Sequence, residues 1–318
     1  MRKKLLYPSI CLLFLTFYTQ AQERVTKEFA GIEKISINTS SGDCILKKGS
    51  GTEVKVELEH DFGNGYEPVI EKEGNRLMIK EKFRGGSWSG SAKWTLTIPD
   101  NMDVRFNTGS GNFEASNLKF ELDMNTGSGD IILASVKGDL RSNTGSGDVE
   151  ISDFDGDMKA NTGSGNMRLA NSVGDVRLNC GSGNIRIKDT NAVISANVGS
   201  GDIDASGVTL AGSSSFNSGS GTTEVMLAAT PKYDISVNSG SGDATLDFEG
   251  NKIEGLVVMK ANKKNGRISA PFSFDTEEEI DNDSGRWSQT IIKKTVQLGK
   301  SDVQIKVSSG SGTAKISK

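Results

Sequence analysis

Residues 143–152 read Asn-Thr-Gly-Ser-Gly-Asp-Val-Glu-Ile-Ser, and this stretch decides the fold because versions of it recur along the chain. Six copies follow one another at a strict spacing of 18 residues, and four looser copies lie outside that spacing. The regular copies start at Asn107, Asn125, Asn143, Asn161, Asn179 and Asn197, and the looser ones at Asn38, Asn217, Asn238 and Ser308. A fixed period of this size indicates one supersecondary unit stacked on itself.

Each 18-residue unit contains two short segments in which apolar and polar residues alternate, which is the signature of β-strands. Val149 and Ile151 are apolar positions of the first segment, and Met158 and Ala160 are those of the second. Two strands that are apolar on one side can bury those sides only against each other. The pattern predicts an all-β fold, a flattened parallel β-solenoid with two strands per rung. An antiparallel meander is the alternative.

The corners between the strands are predicted from the polar part of the motif. Gly145 and Gly147 are expected to take the left-handed or extended conformations that a sharp corner needs. The second corner is expected to be less strictly defined, since Gly138 shares its repeat position with Phe120. The asparagine that opens each copy is expected to form a ladder of side-chain amides, as identical stacked residues do in cross-β structures.

The repeat also divides the chain. We expect residues 1–21 to be a signal peptide and residues 22–106 to hold the first rung and a β-hairpin cap. Residues 107–249 hold the regular repeats, and residues 250–318 a C-terminal excursion and a closing rung. Irregular β caps are expected at both ends, because an open stack exposes unpaired backbone. Residues 22–318 are expected to form one continuous domain, since repeat copies flank both irregular parts.

The first residues have the composition of an export signal. A basic start at Arg2 is followed by the apolar stretch 5–18 and by a small residue, Ala21, before Gln22. No later segment is apolar enough to cross a bilayer. We therefore expect a mature protein without a transmembrane segment that is exported, and that is periplasmic, on the cell surface or secreted.

Charge and cysteine content narrow the class of partner. The net charge of −4 is spread along the chain, whereas a nucleic-acid-binding protein shows a concentrated basic face. Cys44 and Cys180 fall several rungs apart in the predicted stack, beyond the reach of a disulfide. We expect no nucleic acid as partner, and two thiols that act as small apolar fillers.

The sequence contains no clear catalytic arrangement. His60 is the only histidine, so a Ser-His-Asp triad or a zinc site has few residues to draw on. Glycoside hydrolysis requires a local pair of carboxylates, but the acidic residues within the repeats continue the pattern rather than interrupt it. We expect a protein that is not an enzyme and needs no cofactor. A carbohydrate-active enzyme remains the alternative.

Calcium is the most serious candidate for a bound ion. Calcium-binding β-rolls also have glycine-rich corners that carry aspartate. Asp130, Asp148 and Asp202 share one repeat position and would offer oxygen ligands of the right kind. The same position also accepts asparagine, as at Asn166, and the full β-roll motif is absent. The interpretation as turn and capping residues is therefore preferred, with calcium as the alternative.

Several outward-facing residues form a candidate contact surface. Three cations recur at one repeat position on one sheet, two at a position on the other, and a tryptophan lies in a glycine- and serine-rich segment. These residues are Arg141, Lys159, Arg177, Arg168, Arg186 and Trp88. The cations would suit an anionic glycan or lipid headgroup, and the tryptophan could anchor a sugar or partner. The preferred interpretation of the cations is a solvated face, with the first three neutralised by neighbouring aspartates, and the contact surface is the alternative.

The repeated Asn-Thr-Gly-Ser-Gly-Asp-Val-Glu-Ile pattern, and the segment Trp94–Pro99 that leads into the first regular copy, resemble the DUF4097 family of bacterial adhesin-like proteins. The resemblance covers essentially the whole chain after the signal. It implies a right-handed parallel β-solenoid at or beyond the cell envelope, and it transfers no catalytic residues. The Ala21–Gln22 junction is similar to those common in Bacteroidetes.

These observations lead to one functional hypothesis with an alternative. We expect a non-catalytic protein of the cell envelope, adhesin-like or a scaffold, whose flat faces bind a glycan or an envelope protein. The alternative is an envelope-associated regulatory or sensing partner that uses the same faces for docking.

Overall fold

The computed structural model describes residues 23–85, 89–282 and 289–318. Every element of regular structure in these ranges is a β-strand, so the prediction of an all-β fold is confirmed. No helix in these ranges has the length and apolar character that a membrane span requires. The predicted signal peptide and Trp88 lie outside the described residues.

The strands fall into three groups along the chain. The first group is β1 (Glu23–Phe29), β2 (Lys34–Thr39), β3 (Asp43–Lys48), β4 (Val54–His60), β5 (Tyr66–Glu73), β6 (Arg76–Phe83) and β7 (Ala92–Ile98). The second group is β8 (Met102–Thr108), β9 (Phe113–Ser116), β10 (Phe120–Thr126), β11 (Ile131–Ala134), β12 (Leu140–Thr144), β13 (Val149–Ser152), β14 (Met158–Thr162), β15 (Met167–Ala170), β16 (Val173–Cys180), β17 (Ile185–Lys188), β18 (Asn191–Val198), β19 (Ile203–Leu210), β20 (Ser214–Ser218), β21 (Thr223–Leu227), β22 (Ile235–Ser239) and β23 (Ala244–Asp247). The third group is β24 (Gly255–Asn262), β25 (Arg267–Ser269), β26 (Thr276–Asn282), β27 (Gln289–Leu298), β28 (Gln304–Ser309) and β29 (Thr313–Ser317).

In the regular part, each strand pairs in parallel with its counterpart in the next copy. Asn125 lies opposite Asn143 in one ladder of strands, and Val149 lies opposite Met167 in the other. We call the ladder that contains β9, β11 and β13 sheet A, and the ladder that contains β8, β10 and β12 sheet B. Parallel pairing of successive copies rules out the antiparallel meander in this part of the chain. The right-handed sense of winding stays a prediction.

Both ends of the stack have antiparallel strands. At the N-terminal end, β4 pairs with β7 and β1 in sheet A, and β5 pairs with β6 in sheet B. At the C-terminal end, β27 pairs with β24 and β26 in sheet B. The free edge strands carry features that discourage further pairing, such as Pro68 in β5 and the acidic run Glu277–Glu279 in β26.

The core lies between the two ladders and is continuous from one end to the other. Alternate residues of each strand point inward, so Val149 and Ile151 of β13 are buried while Glu150 is exposed. Trp94 and Phe106 are among the largest fully buried side chains. Apolar burial of this extent is the main source of folding free energy.

The first corner uses glycine for a different reason from the one predicted. Neither Gly145 nor Gly147 has a positive φ. A Cβ added to Gly147 would instead lie 1.9 Å from the carbonyl oxygen of Gly129, one rung away. Glycine is required there because successive corners stack backbone on backbone, with no space for a side chain.

The second corner is better defined than the sequence predicts. One repeat position is left-handed in six successive rungs, with φ of 53° at Asp153 and 51° at Asn171, and three of these rungs have a second positive φ at Gly138, Gly156 and Gly174. The set recurs at the 18-residue spacing and comprises Asn117, Ser135, Asp153, Asn171, Asp189 and Gly207. Asparagine, aspartate and glycine tolerate this conformation best. The predicted variation is present at the position of Gly138, which has a positive φ whereas Phe120 does not. The regular position of this corner lies three residues earlier, at Ser135.

Candidate functional site

The polar residues at the first corner form hydrogen bonds that join neighbouring rungs. The Oδ1 atom of Asp130 accepts a hydrogen bond from the backbone N–H of Asp148 at 2.8 Å, and Asp148 accepts one from Asn166 at 2.7 Å. Asp202 accepts one from the N–H of Thr222 at 2.8 Å. Asparagine offers the same oxygen, which explains why both residue types occupy this position. The interpretation as capping residues is confirmed.

The calcium alternative gains no support from this geometry. The Oδ1 atom of each of the three aspartates accepts a hydrogen bond from a backbone amide of the next rung. These oxygen atoms are therefore not directed at a common cation. Within the described ranges, no group of three or more His, Cys, Asp or Glu side chains is arranged to hold a metal ion.

Cys44 and Cys180 are free and buried. Burial and the charge of Asp43 raise the pKa of the Cys44 thiol well above its ordinary value. Cys180 is more than a filler, because its Sγ replaces the threonine hydroxyl found at this position in other rungs. It accepts a hydrogen bond from Gly183 N–H at 2.9 Å and donates one to Gly165 O at 3.2 Å. Burial is also the main reason that the pKa of this thiol is raised.

A partly buried polar cluster lies in the N-terminal cap. The carboxylate of Glu81 accepts hydrogen bonds from Trp94 Nε1 at 2.9 Å, from Tyr66 OH at 3.2 Å and from Ser40 N–H at 2.8 Å. Burial and the negative charge of Glu81 raise the pKa of Tyr66. The cluster ties β6, β5 and β7 to the first rung, and we assign it to cap packing.

The predicted basic column on sheet B is present on the outer face. Arg141 lies opposite Lys159, and Lys159 lies opposite Arg177. All three side chains are exposed. Across the described ranges, none of them forms an ion pair, so the expected neutralisation by aspartates on the same strands is absent.

The second pair of predicted residues lies on the opposite sheet, at a groove. Arg168 lies opposite Arg186 on neighbouring strands of sheet A. They border a groove of about 340 Å³, which we call the sheet A groove. Its lining residues are Glu150, Ile151, Ser152, Arg168, Leu169, Ala170, Arg186, Ile187, Lys188, Asp204 and Ser206. The two sets of predicted cations thus lie on different faces and do not form one surface.

The groove has small side chains beside long cationic ones. Ser152, Ala170 and Ser206 occupy an outward column two residues after the arginine column, with Lys188 in the same column. Arg168 is held near Asp148 by a 3.5 Å contact between Nη1 and Oδ2. Lys188 and the small residues were not among the residues predicted from the sequence. Their recurrence at 18-residue spacing beside the arginines is the signal that could have revealed them.

Several solved structures are similar to this chain, among them the following three. One, titled "Putative lipid binding protein" and from Parabacteroides distasonis, is 20% identical over 73% of this chain and 91% of its own, with a TM-score of 0.42. A "putative adhesin" from Parabacteroides merdae is 16% identical over 94% and 98%, with a TM-score of 0.34. A "putative cell adhesion protein" from Clostridium sporogenes is 15% identical over 93% and 99%, with a TM-score of 0.27.

No curated protein matches the chain. The model of one protein family does, and it spans residues 32–270, from the first rung to the end of β25 in the C-terminal excursion. This range includes all of the regular copies and both of the corners described above. The match confirms the resemblance drawn from the repeated motif. The chain belongs to the DUF4097 family, whose model is described as Toastrack.

Proposed function

We propose that this protein is a non-catalytic binding protein of the cell envelope, exported and adhesin-like, which holds an anionic glycan or another envelope macromolecule in the sheet A groove. The observation that supports this most strongly is the pair of arginines stacked on neighbouring rungs beside small side chains. Arg168 and Arg186 lie opposite each other. Arginine side chains bind carboxylate, sulfate or phosphate groups through two parallel hydrogen bonds.

The electrostatics of the groove favour an anion at its centre. Strands in a ladder lie about 4.8 Å apart, so two facing arginines repel each other unless an anion lies between or above them. Arg186 has no ion-pair partner in the described ranges. Glu150 and Asp204 lie at the outer strands of the groove, next to the arginines. An anionic group is therefore favoured over the arginines themselves, with the flanking carboxylates restricting its position.

A non-catalytic role is supported by the hydrogen bonds of the aspartates at the first corner. Asp130, Asp148 and Asp202 each accept a hydrogen bond from a backbone amide of a neighbouring rung. A carboxylate that acts as an acid or a base must instead reach its substrate. Turnover of any polysaccharide by the purified protein would overturn this part of the proposal.

The proposal can be tested by crosslinking on intact cells. Wild-type protein is compared with the Arg168→Ser/Arg186→Ser variant, and with Arg141→Ser/Lys159→Ser/Arg177→Ser as a control on the other face. We expect capture of a glycan or an envelope macromolecule by the wild type and the control, and loss of capture by the groove variant. Unchanged capture by the groove variant would sink the assignment of the groove. Capture only of a protein of the inner envelope would favour the regulatory or sensing role.

A further inference from the structure

Two columns of opposite charge run side by side on the outer face of sheet B. In three successive rungs, an aspartate is followed two residues later by a cation that faces the same way. The rows are Asp139 with Arg141, Asp157 with Lys159, and Asp175 with Arg177. All six side chains are exposed. Each row thus presents one negative and one positive charge to solvent.

These six charges are unsatisfied within the described part of the molecule, where none of them takes part in an ion pair or a side-chain hydrogen bond. The neighbouring rungs differ. Lys34 pairs with Asp103 at 3.2 Å, and Arg105 pairs with Asp123 at 3.6 Å, in both cases between rungs. Like charges stacked at about 4.8 Å destabilise a sheet unless opposite charges relieve them.

A polymer that carries only one sign of charge fits this face poorly. Residues two apart on a strand lie about 7 Å from each other, so an anionic chain on the basic column would also meet the acidic column. A cationic chain on the acidic column would in turn meet the basic column. A suitable partner must carry both signs of charge, in parallel columns with the spacing of a β ladder. The molecule itself carries such a surface.

We propose that this face of sheet B binds the same face of a second copy of the chain. A twofold axis that runs along the stack, between the two columns, exchanges their positions when the faces meet. It places the acidic column of each copy against the basic column of the other. An axis across the stack would set like charges against each other. The dimer is therefore isologous, with the two stacks parallel.

The face is large enough for a weak dimer. The six rungs from β8 to β18 span about 29 Å, and strands of six residues span about 20 Å, so full overlap buries roughly 1,200 Å² in total. The rung of β10, whose Glu121 and Asp123 are both acidic, adds area but no complementary pair. This area lies at the lower end of the range for specific interfaces. Exposed ion pairs are screened by salt. We expect self-association that depends on protein concentration and weakens as ionic strength rises.

Charge reversal with complementation tests this dimer. One variant carries Arg141→Asp, Lys159→Asp and Arg177→Asp, and the other carries Asp139→Lys, Asp157→Lys and Asp175→Lys. In sedimentation equilibrium at low salt, we expect the wild type to dimerise and each variant to bind itself more than about tenfold more weakly. An equimolar mixture of the two variants should associate, because an all-acidic face then meets an all-basic one.

The control is Arg168→Asp/Arg186→Asp on sheet A, which should dimerise like the wild type. Circular dichroism verifies that every variant is folded; should a triple variant unfold, Lys159→Asp alone carries the same expectation of weaker dimerisation. A wild type that stays monomeric at low salt up to millimolar concentration would overturn the proposal. So would a variant that dimerises as well as the wild type, or a mixture that fails to associate. Ligand capture by the sheet A groove is a separate readout, so either proposal can fail alone.

Discussion

The side-chain amide of Asn161 donates a hydrogen bond to the Oδ1 atom of Asn143 at 2.8 Å, and the same bond links seven further pairs of asparagines in successive rungs. Each internal asparagine uses its amide as donor to one neighbour and its carbonyl as acceptor from the other. The predicted amide ladder is confirmed. It fixes the register of sheet B, because a slip by one residue would break every bond of the ladder.

Replacing Asn161 with alanine should destabilise the protein by about 2 kcal/mol, since two side-chain hydrogen bonds are lost and two neighbouring amides lose a partner. Urea denaturation followed by circular dichroism measures the change. The control is Lys159→Ala on the same strand, which removes an exposed side chain and should alter stability by less than about 0.5 kcal/mol. Equal effects of the two substitutions would show that the ladder contributes nothing.

Val198 interrupts a second ladder and offers a stabilising substitution. In the rung of Thr162, the hydroxyl accepts a hydrogen bond from Gly165 N–H and donates one to Gly147 O, both at 3.1 Å. Val198 occupies the same repeat position without a polar atom. Val198→Thr should raise stability by about 1 kcal/mol, and the reverse change Thr162→Val should lower it by a similar amount. Thermal unfolding measures both, and a shift in the same direction for the two variants would contradict the assignment.

Gly147→Ala should destabilise the protein by about 3 kcal/mol or more, because the new Cβ would overlap the carbonyl oxygen of Gly129. The matched control is Ser146→Ala in the same corner, where the side chain is exposed and a small change is expected. Chemical denaturation compares the two. If alanine at position 147 is tolerated as well as alanine at 146, the corners do not stack as tightly as described.

Asp100 should make the stability depend on pH. Its carboxylate accepts hydrogen bonds from Lys48 Nζ at 2.6 Å and from Lys119 N–H at 2.9 Å, and these bonds, led by the one from Lys48, lower its pKa. A group with a lowered folded pKa stabilises the fold above its unfolded pKa, near 4, and the contribution is lost as pH falls through the folded pKa.

Asp100→Asn should therefore lower stability at pH 7, by less than about 1 kcal/mol because the pair is exposed to screening. The difference from the wild type should shrink as the pH is lowered below about 4. Denaturation curves between pH 2 and pH 7, at about unit intervals, measure this. Asp157→Asn is the control, since Asp157 forms no ion pair or side-chain hydrogen bond in the described ranges. A difference in stability between Asp100→Asn and the wild type that stays constant with pH would contradict the prediction.

Removal of calcium should leave the melting temperature unchanged. Asp148 accepts a hydrogen bond from a backbone amide, so its side chain already has a structural partner. Thermal unfolding with EDTA, with added calcium and with neither should give the same midpoint. A midpoint that falls with EDTA and recovers with calcium would restore the calcium-binding β-roll as the better hypothesis.

The repeat in the sequence determined the stack itself. Because every copy carries the same residues at the same positions, residues 18 apart must meet, and the ladders at Asn143 and Asp148 could be inferred before any coordinates. The corner glycines were identified from their conformational freedom alone, whereas the structure adds a second requirement, the close approach of Gly129 to Gly147. Close approach of the backbone of another rung is a tertiary property, which local conformational preference does not reveal.

Only the tertiary structure decided which residues outside the 18-residue repeat contact each other. Asn38 pairs with Asn107 across 69 residues, and the Oδ1 of Asp234 accepts from Gln304 N–H across 70. No spacing rule predicts these contacts, because they depend on where the two excursions return to the stack. The same holds for the outer faces. The sequence placed charges at Asp157 and Lys159, whereas the structure shows that neither has an ion-pair partner among the described residues, since pairing depends on side-chain positions across rungs.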